Sequence, residues 1–249
     1  MKKNNQIVVY WCPWWDPKKD INLDVLYRKP ENVYRDLIKN FEPKDEFANF
    51  MNCPAVSEKL KRTYVIKNVA ETEIEVFIND DGYPDIRYVN TRNTNTPAYM
   101  PHAPTLRNQY LVEYQMAFGL FAQESLEVSM TSPFFHKAEH LKYGAIVPGQ
   151  FDIGRWYRPL MAEFNLWSDN NKLHVPEGDP LMYWEFHTDK EVVLKRYSMT
   201  PKLFNIATTL INFKILRKWS KLLPRYQYFK ESSMREIVLK EIKNNLIDQ

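Results

Sequence analysis

A chain of 249 residues can bury a sizeable core in one large domain, and 16 Pro against 6 Gly with a 14% aromatic share describes one that turns at prolines and fills its interior with rings, a composition that leans toward β structure. The net charge of +3 is unevenly spread, because residues 190–249 hold 13 Lys and Arg against 5 Asp and Glu while residues 1–189 hold 21 against 26. Two cysteines, Cys12 and Cys53, exclude a disulfide framework, and the lack of an apolar run after Met1-Lys2-Lys3 or of a bilayer-length segment predicts no membrane association and a reducing cytoplasm.

In chain order, Gln6 to Trp11 is a β-branched strand that Pro13 interrupts. Trp11, Trp14 and Trp15 follow as an aromatic cluster, either a partner-binding surface or stacking platform or a cap on the core. Val33, Leu37 and Phe41 predict a short helix behind Pro30. Arg62–Asn68, Thr72–Asn79 and Ile86–Val89 read as a meander, with Ile74, Val76 and Ile78 on its inward face and a turn at Asp80-Asp81-Gly82. Residues 90–109 are Pro-rich and polar, a long loop. Tyr110 to Gln123 is expected to be a long strand broken near Gly119. Leu126, Val128 and Met130, then Leu160, Ala162, Phe164 and Leu166, alternate with polar neighbours as the inward faces of two further strands. Leu181–His187 and Val192–Tyr197 complete the β part.

Thr200-Pro201 has the order of an N-cap followed by Pro at the first helical position, and Phe204, Ala207, Ile211, Ile215, Trp219 and Leu222 trace one face of a helix that Pro224 ends. A second helix opens at Ser233, where Glu236 completes a capping box, and Met234, Val238, Ile242 and Leu246 form its stripe. The expected architecture is mainly β, a sandwich or β-clip-like barrel over residues 1–198, with two C-terminal α-helices over 199–249 packed on it. Arg217, Lys218 and Lys221 on the first helix are partner-binding candidates. Clustered cations there suit either nucleic acid or simple solvation of a helical face.

Three constellations carry possible chemistry. His187-Thr188-Asp189 matches the first two ligands of a His-x-Asp facial triad for non-haem iron, but no histidine follows downstream. His136 and His140 have the i,i+4 spacing that presents two imidazoles to a metal, so His136, His140 and His187 form the candidate metal set. Asp152, Arg155, Trp156, Tyr157 and Arg158 are the densest mixture of acid, base and aromatic groups, readable as an anion site of nucleotide type or as a salt-bridged turn. A nucleophile elbow, phosphate loop, dinucleotide fingerprint, zincin helix and Cys-x-x-Cys are all missing, so no catalytic residue is named and no cofactor is expected unless a divalent metal binds.

Two resemblances add to this reading. HK, YG, FDIGRWYRPL, FNLW and VPEGDPLMYWEF, between His136 and Phe186, loosely resemble the hairpin, reversal and turn motifs of the β-clip family that includes dUTPase and dCTP deaminase. That resemblance places Asp152 near the family's hairpin aspartate. Tyr157, however, lies five residues beyond it, and the family's phosphate motif is absent at Ser132-Pro133, so the implication is one of fold. The whole chain, through SPFFHK, VPGQFDIGRWYRP and MREIVLKEI, resembles an uncharacterised family of large tailed phages of marine bacteria. This resemblance implies a viral product in host cytoplasm or virion. The leading expectation is a non-catalytic binding or assembly protein, with a protein partner or self-association. The alternative is a small-ligand or metal-dependent enzyme on a β-sandwich.

Overall fold

A strand that is apolar on both faces must be covered on both sides, and β1 (Gln6–Trp14) is such a strand: Ile7, Val9 and Trp11 face one core while Tyr10 and Cys12 face another. The computed structural model describes residues 5–18, 27–39, 50–89, 99–102, 109–168, 170–211 and 222–247. In it β1 runs parallel to β14 (Glu191–Arg196) and antiparallel to β7 (Leu111–Ala122); the sheet continues through β11 (Pro159–Leu166) to β9 (Gly144–Ile146), and β6 (Tyr99–His102) also pairs with β7. The second sheet has the order β10 (Gly149–Asp152), β8 (Glu127–Thr131), β13 (Pro180–Phe186), β3 (Thr63–Lys67) and β2 (Glu31–Asn32). A small third sheet joins β12 (Lys172–Val175), β4 (Thr72–Ile78) and β5 (Pro84–Tyr88). The curled sheets form a half-barrel, and the chain is mainly β with several C-terminal helices.

The main core lies between the sheets and is built from the alternating faces expected of the strands, including Val128 and Met130, Phe164 and Leu166, and Trp184 and Phe186. Rings of this size each stabilise by about 1.5–3 kcal/mol on burial, and here they meet edge-on, Phe118 lying 5.0 Å from Trp184 and 4.9 Å from Tyr27. Outside the first sheet, α3 (Pro201–Ile211), α4 (Leu222–Glu231) and α5 (Met234–Asn244) enclose a second core of Tyr10, Cys12, Phe121, Tyr157, Tyr197, Leu203, Phe229, Val238 and Ile242. Outside the second sheet, α1 (Val33–Lys39) and α2 (Pro54–Lys61) close a smaller third core of Val33, Met51, Leu60, Val65 and Tyr183.

Several local expectations are corrected. Gly119 does not break β7; a Cβ there would lie 2.8 Å from the Tyr197 hydroxyl and 2.9 Å from the Cys12 sulfur, so glycine allows the close packing of strand on core. Pro13 does not end β1, because β14 pairs no further than Trp11, and beyond it β1 is an edge that tolerates a missing N–H. Thr200 caps α3 as expected, its hydroxyl accepting from the Leu203 N–H at 3.2 Å. Pro224 does not end a helix but lies in the first turn of α4, where its missing N–H costs nothing, so the C-terminal part has a third helix. No capping box forms at Ser233, whose side chain makes no cap hydrogen bond; Ser232 accepts from the Met234 N–H at 3.3 Å instead. Helix α2 and strand β6 were not anticipated, and Ile78 is exposed at the outer end of the meander.

Candidate binding groove

The turn expected to hold an anion is closed on itself. Asp152 Oδ1 accepts from the backbone N–H of Leu126 at 3.1 Å and of Gly154 at 2.9 Å, while Oδ2 takes the Ser125 hydroxyl and the Arg155 Nε at 3.2 Å. A Cβ on Gly154 would collide with the Glu124 carbonyl, so the turn packs tightly against the strand before it. Tyr157 is fully buried with its hydroxyl 3.2 Å from that of Tyr197. Trp156 stacks on Tyr226 of α4 at 3.7 Å, and Arg158 lies 5.2 Å over the Trp156 ring and donates to the Tyr226 hydroxyl at 3.2 Å. Asp152 and Arg155 therefore close the turn on itself, Trp156 and Arg158 fasten it to α4, and both guanidinium groups are already engaged.

The tryptophans all pack on a core. Trp11 is buried in the main core, and Trp14 and Trp15 pack against the second, Trp14 lying 6.0 Å from Tyr157 and 5.9 Å from Phe204. Trp14 and Trp15, half-buried, thus lie over the second core. Arg217, Lys218 and Lys221 fall outside the described residues.

The three histidines occupy three different places, and among the described residues no group of three or more His, Cys, Asp or Glu is arranged to hold a metal. His187 Nε2 lies 2.7 Å from the Ser129 hydroxyl. His140 is buried edge-on against Phe164 with both ring nitrogens unpartnered, and burial brings its pKa down to about 4 although Asp179 pulls upward. His136 Nε2 donates to Asp36 Oδ2 at 3.0 Å, which leaves Nδ1 to accept the Tyr183 hydroxyl proton.

The Asp36 end of that contact lies on an open groove of about 1260 Å³ between α1, α2, β2 and the outer edge of β14. Its α1 wall is backed by a charged network that sequence reasoning missed. Asp36 is 6% exposed and meets both His136 and Lys67, whose Nζ lies 3.3 Å from it and 2.9 Å from Glu31. Burial pushes the Asp36 carboxyl up, but hydrogen bonds with Glu31, His136 and Lys67 and the Lys67 charge outweigh it and hold the group below its ordinary range. Burial pulls Lys67 down, and the two carboxylates more than compensate, so it stays charged. Tyr183 is pushed up to about 12 by burial and remains a neutral donor. The network joins α1, the loop after β8 and β3.

No family model, curated protein or solved structure matches the chain, so neither the β-clip nor the phage-family resemblance gains support, and the groove has to be read from its own chemistry.

The opposite wall is a strand edge whose free groups can be deduced from register. In a parallel pair the N–H and C=O of one residue point the same way and alternate along the strand. The Glu191 and Tyr197 N–H groups bond Asn5 and Trp11, so the odd positions face β1 and Val192, Leu194 and Arg196 face outward. The Val192 carbonyl accepts the Tyr64 hydroxyl at 2.9 Å, and the Arg196 carbonyl accepts the Ile247 N–H at 3.0 Å. Between these two stops, Leu194 presents both its N–H and its C=O to the groove with no partner among the described residues. Such an edge offers an extended chain the hydrogen bonds of a missing strand.

Proposed function

We propose that the protein is a non-catalytic binding or assembly protein that holds an extended segment of a partner protein in the groove between α1, α2 and the outer edge of β14. The observation that carries this reading is the unpaired edge of β14 at Leu194, set in a groove too open to enclose a small molecule and bordered by polar side chains. The site residues anticipated as chemical, Asp152, Arg155 and Arg158 above all, are consumed in holding elements together, which favours binding at the groove over chemistry at the hairpin. The resemblance to a tailed-phage family supplies the setting, a viral product acting in the host cytoplasm or carried in the virion. No helix among the described residues is long and apolar enough to cross a membrane.

Selection of an unbiased displayed peptide library on the full chain tests this reading. Clones that bind the wild type and fail on Leu194→Pro support it, since proline removes the outward N–H and leaves the β1 pairing of the neighbouring residues in place. A clone set indifferent to Leu194→Pro removes the groove from the reading. A melting-temperature screen with divalent metals, nucleotides and 2-oxoglutarate examines the enzyme alternative; an upward shift that His136→Ala abolishes would favour it.

A further inference from the structure

The groove contains cations and anions, but they are not equally occupied. Glu58 is met by Lys61 at 2.7 Å, Asp189 by Arg62 at 3.5 Å, and Glu191 by the Gln6 amide at 2.8 Å. Glu31 and Asp36 share Lys67, and Lys190 reaches out of the groove to Glu124 at 2.8 Å. What remains on the lining is Lys29, Arg35 and Lys39, all exposed and without an ion pair or side-chain hydrogen bond among the described residues.

The placement of Arg35 runs against the local preference of α1, whose last turn, by contrast, suits Lys39. Arg35 sits in the first turn of α1, where the partial positive charge of the N-terminus disfavours a cation, and Lys39 is four residues on, a like-charge i,i+4 pair. The position of Arg35 and the like-charge pair each cost a few tenths of a kcal/mol, and among the described residues Arg35 has no ion pair or side-chain hydrogen bond that offsets them. Arg35 and Tyr64 line the same groove, and the Tyr64 hydroxyl marks one end of the open β14 edge. The cationic helix face and the free backbone groups therefore belong to one surface.

We infer that the groove takes an acidic peptide segment in extended conformation, its backbone pairing with Leu194 on the outer edge of β14 and its carboxylates meeting Lys29, Arg35 and Lys39. This rests on the binding reading above and names the chemistry of the partner. Backbone pairing supplies affinity without regard to sequence, and the three cations select among extended chains. The window between the Tyr64 hydroxyl and Ile247 spans Val192 to Arg196, so the paired part of the ligand is short, about five residues or roughly 16 Å of extended chain.

The test uses the full chain and three synthetic peptides of one length that alternate Thr or Val with Glu, with Gln or with Lys. Fluorescence anisotropy at low salt should show the Glu peptide binding at least about tenfold more tightly than the Gln peptide, with the Lys peptide weakest, and the preference should fade as salt rises. Arg35→Glu should weaken the Glu peptide about tenfold, Leu194→Pro should weaken Glu and Gln peptides alike, and the bound complex should protect the Leu194 amide from hydrogen exchange. Equal binding of the three peptides, or indifference to Arg35→Glu, overturns the acidic partner; if library clones still depend on Leu194, the groove reading survives that failure. Tight binding of a single-stranded oligonucleotide that ignores Leu194→Pro would instead make the cations a polyanion site and overturn the edge pairing. Dimerisation blocked by Leu194→Pro, with no affinity for the Glu peptide, would assign the edge to a second copy. Arg35 is exposed, so Arg35→Glu folds and keeps the test decisive even if Leu194→Pro does not.

Discussion

Both main sheets carry helices on their outer faces, but the two layers are held by different forces. Against the first sheet, α3, α4 and α5 bury Leu203, Ala207, Phe229, Val238 and Ile242 on Tyr10, Phe121, Tyr157 and Tyr197, a layer whose cohesion is area and ring packing. Against the second sheet, α1 and α2 bury far fewer apolar groups, and the buried carboxylate of Asp36 between Lys67 and His136 stands where a further hydrophobe would otherwise sit. The apolar layer should respond little to salt and pH, because area and ring packing dominate its cohesion. The ionic layer is conditional, because a buried carboxylate is stable only while its partners remain in place. The groove and its unpaired cations adjoin the conditional layer, which puts the binding surface on the side of the molecule that is easier to adjust.

Truncating the apolar layer gives the largest expected effect. Phe229 is fully buried and meets Phe121 edge-on at 6.3 Å, so Phe229→Ala should cost about 3–5 kcal/mol in urea unfolding, with the same loss at low and high salt. A salt-dependent loss would show that the two layers are not distinct. Between the layers, His140 tests pH. Its folded pKa of about 4 lies below the unfolded value of 6.5, so in that window the unfolded chain binds a proton that the folded chain refuses, and stability falls as pH drops from about 6.5 to about 4, by about 3 kcal/mol. His140→Phe should flatten that slope; an unchanged slope would move the acid sensitivity elsewhere. Asp36 behaves differently: its folded pKa is lowered, so its contribution holds above the ordinary carboxylate value and disappears only as pH falls through the lower folded one. Asp36→Asn should cost about 2 kcal/mol, with faster amide exchange confined to α1, α2 and β3. Equal loosening of α3 to α5 would contradict the division.

The main core and the α5 stripe of the apolar layer were largely legible in the sequence and the ionic layer was not, for a physical reason. Alternation and helical stripes are local patterns, so Leu126, Val128 and Met130, Phe164 and Leu166, and Val238 and Ile242 declared their burial within a few residues. Asp36 gave no such signal: its partners are 31 residues away at Lys67 and 100 away at His136, and a single acid in a short helix reads as solvated. The Asp152 to Arg158 cluster was conspicuous for the opposite reason. Its density reflected the many attachments one turn has to make, and Arg158 meets its partner Tyr226 68 residues on. The free edge at Leu194 was equally hidden, since which strand ends a sheet depends on pairing and not on composition.

The smallest effect is the most discriminating. Arg35→Glu places an acid in the first turn of α1, where the helix N-terminus favours it, three residues after Asn32, whose side chain already accepts from the backbone N–H of residue 35 at 3.2 Å. It also converts a repulsive i,i+4 pair with Lys39 into an attractive one in the better orientation, acid before base. The protein should therefore become more stable by about 0.5–1 kcal/mol in thermal or urea unfolding while losing affinity for an acidic extended peptide. A residue kept only for the fold cannot show that pair of signs, because removing it would weaken both. If Arg35→Glu destabilises the chain, Arg35 serves the conditional layer itself, and any loss of binding would follow from the fold; a gain in stability with loss of binding places the cost of Arg35 in the service of the groove.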